Sequence, residues 1–114
     1  MRSDDVFSLL GITQKARKLI SGQDSVERGV NAKKVFLIIV AKDTSKNTRK
    51  KMKNLSARKN VPMFFWGQSG ELGRAIGNEQ RKVIGITDKG IAKELSRRIN
   101  LLTGVGDIDE ITRI

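Results

Sequence analysis

Asp24 and Glu27 lie three positions apart, so they would share one face of a helix and could work as a carboxylate pair. Such a pair can serve as general acid and base, or can hold Mg²⁺ through its oxygens. Acidic residues near the start of a helix also complement the positive end of its dipole, and that explanation needs no chemistry. The 114 residues include no His and no Cys, which excludes thiol nucleophiles, Ser-His-Asp triads and Cys- or His-based metal sites. We therefore expect a protein that is not an enzyme and that uses neither a metal nor a cofactor.

The segment from Gly67 to Gly73 is the second candidate for chemistry, because glycines that follow a strand and open a helix can cradle a dinucleotide. Its glycines are spaced G-x-x-G-x-x-G, whereas the dinucleotide motif is G-x-G-x-x-G and belongs to the first strand–helix turn of its fold. We interpret the segment as a turn followed by the start of a helix, and we expect no small-molecule substrate.

Lysine and arginine outnumber the acidic residues by 23 to 12, which gives the chain a formal net charge of +11. Charge of this sign and size indicates a polyanionic partner. Residues 42–60 hold eight of the basic residues and a single acid, Asp43. A solvated helix usually mixes its charges, so this segment is either a solvated outer face or a surface that contacts phosphates, and we favour the second. The residues predicted to make non-specific phosphate contacts are Lys46, Arg49, Lys50 and Lys53.

The longest apolar run, Val35–Ala41, is far shorter than the ~20 residues that span a membrane, and its β-branched composition predicts a central strand. The N-terminus is acidic and polar, unlike a secretory signal. We expect a cytoplasmic protein without a membrane partner.

Apolar periodicity and capping residues predict helices that alternate with short strands along the chain. The predicted strands are 19–21, 35–41, 62–66 and 83–86, and the predicted helices are about 3–16, 23–31, 45–59, 69–76 and 88–99. Alternation of this kind requires crossover connections, which place helices on both faces of a sheet. We predict an α/β fold, a three-layer α/β/α sandwich with a four-stranded mixed sheet.

Residues 1–103 are predicted to form a single domain, followed by an acidic extension at residues 104–114. Asp107, Asp109 and Glu110 against Arg113 alone give that extension a net charge of −2. A second functional hypothesis follows from this asymmetry. The protein would then be an interaction module that engages a protein partner through the acidic extension and the basic helix, without specific recognition of a polyanion such as RNA.

Several short motifs follow one another in a characteristic order between about Val6 and Leu95. They are Leu10-Gly11-Ile12, Ala16-Arg17-Lys18-Leu19-Ile20-Ser21-Gly22, Ala41-Lys42-Asp43-Thr44-Ser45-Lys46-Asn47-Thr48, Val61-Pro62, Glu71-Leu72-Gly73-Arg74-Ala75-Ile76-Gly77 and Val83-Ile84-Gly85-Ile86-Thr87-Asp88. In order and spacing they resemble the kink-turn RNA-binding superfamily of ribosomal proteins (L-seven-Ae / L-thirty-e), and within it the small bacterial YlxQ-type branch. The resemblance implies the α/β/α sandwich already predicted, and RNA as the ligand.

In that family, a Gly-x-Asn-Glu-x-x-Lys segment at the start of the second helix reads a sharply bent RNA, and a loop before the last strand holds its extruded nucleotides. The first segment corresponds here to Gly22–Arg28, where Asp24 replaces Asn, Ser25 replaces Glu and Arg28 stands in place of Lys. Arg28 keeps a donor for phosphate or guanine, whereas Asp24 can accept hydrogen bonds but cannot donate them. The residues implied to bind RNA are Lys18, Gly22, Gln23, Asp24, Ser25, Arg28, Asn78, Glu79, Gln80, Arg81 and Lys82.

The resulting hypothesis is a non-catalytic protein that recognises kinked or otherwise structured RNA, with ribosomal RNA as the expected partner and the ribosome as the expected setting. The density of positive charge favours the Lys-rich helix as the RNA contact, whereas the resemblance favours Gly22–Arg28 and the loop before the last strand. We take the resemblance as the guide to the specific site, and we assign the Lys-rich helix to a second, non-specific face.

Overall fold

A computed structural model of the protein describes residues 2–103, and these form a four-stranded mixed sheet between two layers of helices. The elements are α1 (Ser3–Lys15), β1 (Leu19–Ser21), α2 (Gln23–Asn31), β2 (Leu37–Val40), α3 (Lys46–Lys59), β3 (Met63–Phe65), α4 (Ser69–Ala75), β4 (Val83–Ile86) and α5 (Lys89–Thr103). The predicted α/β/α sandwich is therefore confirmed. The predicted acidic extension at 104–114 lies outside the described residues.

The strands are arranged in the order β1-β4-β2-β3, so β2 and β4 occupy the centre. Strand β2 runs parallel to β3 and antiparallel to β4, and β4 runs antiparallel to β1. All four residues of β2 are buried, as the apolar run predicted. Because side chains alternate along a strand, Leu37 and Ile39 pack with α1, α4 and α5, whereas Ile38 and Val40 pack with α2 and α3.

Local capping determines where several helices begin. The hydroxyl oxygen of Ser45 accepts a hydrogen bond from the backbone N–H of Thr48 and caps α3. The carboxylate of Asp88 does the same for α5 through the N–H of Ile91. Helix α5 continues four residues beyond its predicted end at Ile99, because Leu102 extends its apolar side against the core. Within the described part of the chain, no helix has the length and apolarity needed to cross a bilayer.

Candidate functional site

The end of β1 passes into α2 through Gly22, whose φ of +100° lies in a region that L side chains rarely adopt. The N–H of Gly22 donates to the carbonyl of Val83 at 2.8 Å, which fixes the start of α2 beside the start of β4. The first turn of a helix leaves backbone N–H groups without an intrahelical acceptor, at the positive end of the dipole. In α2 these N–H groups are those of Gln23 and the residues directly after it. The end of the sheet at which α2 begins therefore offers a surface that can bind anions.

The loop formed by residues 77–82 connects α4 to β4 and lies next to the start of α2. Backbone hydrogen bonds hold it at both ends: the N–H of Asn78 donates to the carbonyl of Gly73 at 2.7 Å, the N–H of Arg81 donates to the carbonyl of Ser69, and the carbonyl of Lys82 accepts from the N–H of Ala41. We call residues 22–28, which lead into and begin α2, together with this loop the α2–loop site. The predicted turn and helix start at Gly67–Gly73 is confirmed, and it supports this loop.

Gly73 permits the loop to lie directly against α4. A Cβ added at this position would come within 2.5 Å of the carbonyl oxygen of Glu79 and within 2.7 Å of the backbone of Gln80. Backbone atoms cannot yield as a flexible side chain can, so any larger residue at 73 must displace the loop.

Arg81 ties the loop to the end of β1. Its Nε donates to the hydroxyl of Ser21 at 3.0 Å, its Nη2 donates to the side-chain oxygen of Asn78 at 3.3 Å, and its Nη1 donates to the carbonyl of Gln80 at 3.1 Å. The guanidinium is half-buried and is committed to these three acceptors. Among the residues predicted to bind RNA, Arg81 therefore has a structural role that the sequence did not indicate.

Thr48, at the start of α3, completes the α2–loop site, and sequence reasoning did not include it. Its hydroxyl donates to the side-chain oxygen of Gln23 at 3.1 Å, which leaves the amide N–H₂ of Gln23 to donate elsewhere. The two halves of the site enclose an open depression of about 290 Å³. It is lined by Gly22, Gln23, Thr48, Gln80, Arg81, Lys82 and Val83.

The remaining predicted residues divide into those that the structure brings to this site and those that it does not. Asp24 and Arg28 are exposed on α2, and the Arg28 guanidinium donates to the Ser25 hydroxyl at 3.4 Å. Glu79, like Gln80 and Lys82, is exposed on the loop. Lys18 precedes β1 and lies at the opposite end of that strand from Gly22, about 13 Å away at the rise of an extended chain. Lys18 is therefore not part of the α2–loop site.

The four residues predicted to contact phosphates non-specifically lie outside the depression. Lys46, Lys50 and Lys53 are exposed on α3, and Arg49 is half-buried among them. They line a separate shallow depression of about 360 Å³ together with Asn54.

The sequence and the fold place the chain in a class of protein with known members. The profile of the ribosomal protein L7Ae/L30e/S12e/Gadd45 family matches residues 4–96, and the chain belongs to this family. Two relatives, each named RNA-binding protein YlxQ, are 37% identical to it: that of Bacillus subtilis over 78% of this chain and 89% of its own, and that of Enterococcus faecium over 82% and 89%. The resemblance to the YlxQ-type branch is therefore confirmed.

Two solved structures share the fold. A Bacillus halodurans protein of unknown function superposes with a TM-score of 0.82 at 35% identity, covering 83% of this chain and 96% of its own. A 15.5 kD RNA-binding protein of Giardia lamblia superposes with a TM-score of 0.75 over 89% of each chain. At 22% identity the second likeness concerns the fold alone.

Proposed function

We propose that the protein binds structured RNA without catalysing a reaction, and that it recognises RNA with a sharp, kink-turn-like bend through the α2–loop site. The names of the two YlxQ relatives support RNA as the ligand. The observation that carries the proposal is the bond between Arg81 and Ser21, sixty residues apart, which holds the loop beside the start of α2. Two separate chain segments thereby form one rigid surface, as recognition of a bent shape requires.

The chemistry of each part fits this ligand. Backbone N–H groups at the start of α2 can bind phosphate oxygens, and the Gln23 amide and the Arg28 guanidinium can donate to base edges or phosphates. Asp24 can accept hydrogen bonds from base amino groups but cannot donate them. We therefore infer that this protein prefers different bases from family members that have Asn at this position. Ribosomal RNA, in the cytoplasm, is the partner that we infer from the family.

A gel-shift titration tests the proposal directly. A synthetic kink-turn RNA with tandem G·A pairs is compared with a fully paired duplex of the same length and composition. We expect clearly tighter binding to the kink-turn RNA. Equal affinities would reject recognition of the bend and would favour the protein-interaction hypothesis.

Arg28→Ala tests the role of α2. If Arg28 reads a base, we expect the substitution to weaken binding to the kink-turn RNA by about 1–3 kcal/mol. Arg58→Ala is the matched control, because Arg58 is exposed near the far end of α3 and its loss changes the net charge equally. An Arg28→Ala variant that binds as tightly as the control would remove Arg28 from the site.

A further inference from the structure

Helix α3 carries seven basic residues and no acid, and its positive charge is not neutralised within residues 2–103. The ion pairs in that range join Arg2 to Asp4, and Arg97 and Arg98 to Glu94. The adjacent arginines of α5 therefore pair with a carboxylate on the same helix, whereas α3 has no acidic residue that could pair with its basic residues. Like charges at positions i and i+4 destabilise a helix slightly, and a polyanion relieves that repulsion.

The charges of α3 are concentrated on its outward side. Met52, Leu55 and Ser56 are buried against the sheet, whereas the residues on the opposite side point to solvent. At 100° per residue, positions 46, 50 and 53 fall together on that side, over two turns and roughly 10 Å of helix. We call Lys46, Arg49, Lys50 and Lys53 the basic face.

Arg49 is fixed in place at the border of the basic face. Its Nη2 donates to the carbonyl of Lys42 at 2.6 Å, and its guanidinium carbon lies 4.6 Å from the centre of the Phe65 ring. A cation held in this way has lost part of its freedom before any ligand arrives, so binding costs less entropy. Sequence reasoning included Arg49 as one charge among several, and the contact with Phe65 distinguishes it.

The basic face adjoins the α2–loop site, which itself has little net charge. Three basic residues of that site, Arg28, Arg81 and Lys82, are matched by the acids Asp24, Glu27 and Glu79 on the same two segments. Thr48 joins the two surfaces, since it contacts Gln23 and lies one position from Arg49. The cations that a long polyanion would need are therefore on α3, next to the site and not within it.

The composition of this surface favours nucleic acid over a protein. Protein interfaces rely on buried aromatic and aliphatic anchors and are depleted in lysine. Among the described residues, the large apolar side chains that are exposed are Ile12, Phe36 and Leu101, and none of them lies on α3.

We propose that the basic face binds the phosphodiester backbone of the RNA stem that continues beyond the bend. This proposal rests on the proposed function, because it assumes that the α2–loop site holds the bend itself. The basic face would supply most of the salt-dependent affinity for the RNA. The α2–loop site would supply the preference for bent RNA.

The test compares Lys46→Gln/Lys50→Gln/Lys53→Gln with Lys15→Gln/Lys89→Gln/Lys93→Gln. The control triple removes the same charge from exposed lysines in the opposite helix layer. Each protein is titrated at several salt concentrations with a minimal kink-turn RNA and with the same RNA carrying one further helical turn on each stem. Thermal unfolding verifies that both triples are folded, and relief of repulsion should keep the α3 triple at least as stable as the wild type.

We expect the α3 triple to bind the extended RNA at least about tenfold more weakly, with a salt slope lower by about 2–3, and to bind the minimal RNA nearly as the wild type does. The control triple should change neither. Equal losses in both triples, or unchanged binding of the extended RNA by the α3 triple, would overturn the proposal. Failure of the proposed function is distinguishable, because it would show as no preference of the wild type for the minimal kink-turn RNA over a duplex.

Discussion

Asp43 accepts two hydrogen bonds from Ser69, one at Oδ1 from the backbone N–H at 2.8 Å and one at Oδ2 from the hydroxyl at 2.7 Å. Ser69 is the first residue of α4, and its carbonyl in turn accepts from the backbone N–H of Arg81. Asp43 thus links the segment that follows β2 to α4 and to the loop of the α2–loop site. These bonds hold the pKa of Asp43 below its ordinary value. The hydrogen bond from the Ser69 hydroxyl contributes most, and the hydrogen bond from the Ser69 backbone N–H adds to it.

The backbone amide of Ser69 should report this linkage as a pH titration. Because the folded-state pKa of Asp43 is lowered from 3.8, its stabilising contribution is complete above about pH 4 and is lost as the pH falls through the folded pKa. We expect the amide resonance of Ser69 in ¹H–¹⁵N NMR spectra to titrate with a midpoint below pH 3.8. Asp43→Asn should abolish the titration, and a midpoint at or above 3.8 in the wild type would contradict the assignment.

Gly73→Ala should move the loop and weaken RNA binding. The new Cβ would meet the backbone of Glu79 and Gln80, so we expect a loss of unfolding free energy of about 1–3 kcal/mol, as for other overpacked sites. We expect affinity for a kink-turn RNA to fall roughly tenfold, equivalent to about 1.4 kcal/mol. Chemical denaturation and gel-shift titration measure the two effects.

Gly70→Ala is the control, because the nearest atom to a Cβ at this position is the flexible end of Arg74, 3.8 Å away. Alanine favours a helix over glycine by up to about 1 kcal/mol, so this variant should be as stable as the wild type or more stable. It should also bind RNA normally. Matching behaviour of the two variants would show that the contact at Gly73 does not hold the loop.

Arg81→Lys separates the geometry of Arg81 from its charge. Lysine keeps the positive charge but cannot reach Ser21, Asn78 and the Gln80 carbonyl together, and each lost hydrogen bond is worth about 1 kcal/mol. We expect weaker binding of kink-turn RNA with an unchanged salt dependence. Arg81→Ala should bind equally weakly and should also lower the salt slope if the charge contacts phosphate. If the lysine variant bound kink-turn RNA as tightly as the wild type, the role of Arg81 would be reduced to its charge.

The fold was predictable from the sequence because its signals are local. The apolar run around Ile38 and Ile39 is buried on both faces, as its composition indicated, and Ser45 and Asp88 cap the two helices that were predicted at about 45–59 and 88–99. Boundaries were less accurate where packing decided them. Helix α5 extends beyond its predicted end because Leu102 packs against the apolar core, and a short stretch of sequence does not reveal that contact.

The site was only partly predictable, because the contacts that build it join distant parts of the chain. Arg81 and Ser21 are sixty residues apart, and no periodicity relates them. The resemblance implied that Lys18 binds RNA, yet the extended strand β1 separates Lys18 from Gly22 and places it at the other end of that strand. Asp43 and Gly73 did lie within the motifs that carried the family resemblance, and those motifs were the available signal for their supporting role.

A second carboxylate, on α5, has a larger pKa shift than Asp43. Glu94 accepts hydrogen bonds from Arg97 and Arg98, each with a shortest distance of 2.7 Å, and Arg98 also donates to the carbonyl of Asp5 on α1. These bonds, with Arg97 contributing most, lower the pKa of Glu94 from 4.5 to about 2. The cluster joins α5 to α1 on the layer opposite the basic face.

Glu94→Gln should therefore lower the melting temperature at neutral pH. A carboxyl group whose pKa is lowered in the folded state stabilises the protein at pH values above its unfolded-state pKa, and this contribution is lost as the pH falls. The deficit in the melting temperature of the variant should therefore persist down to about pH 4.5 and close towards pH 2. Glu79→Gln is the control, because Glu79 forms no ion pair within residues 2–103, and it should leave the melting temperature unchanged at every pH. Thermal unfolding followed by circular dichroism between pH 2 and 7 measures both variants. If the Glu94→Gln deficit did not narrow at acid pH, it would come from packing of the side chain and not from its charge.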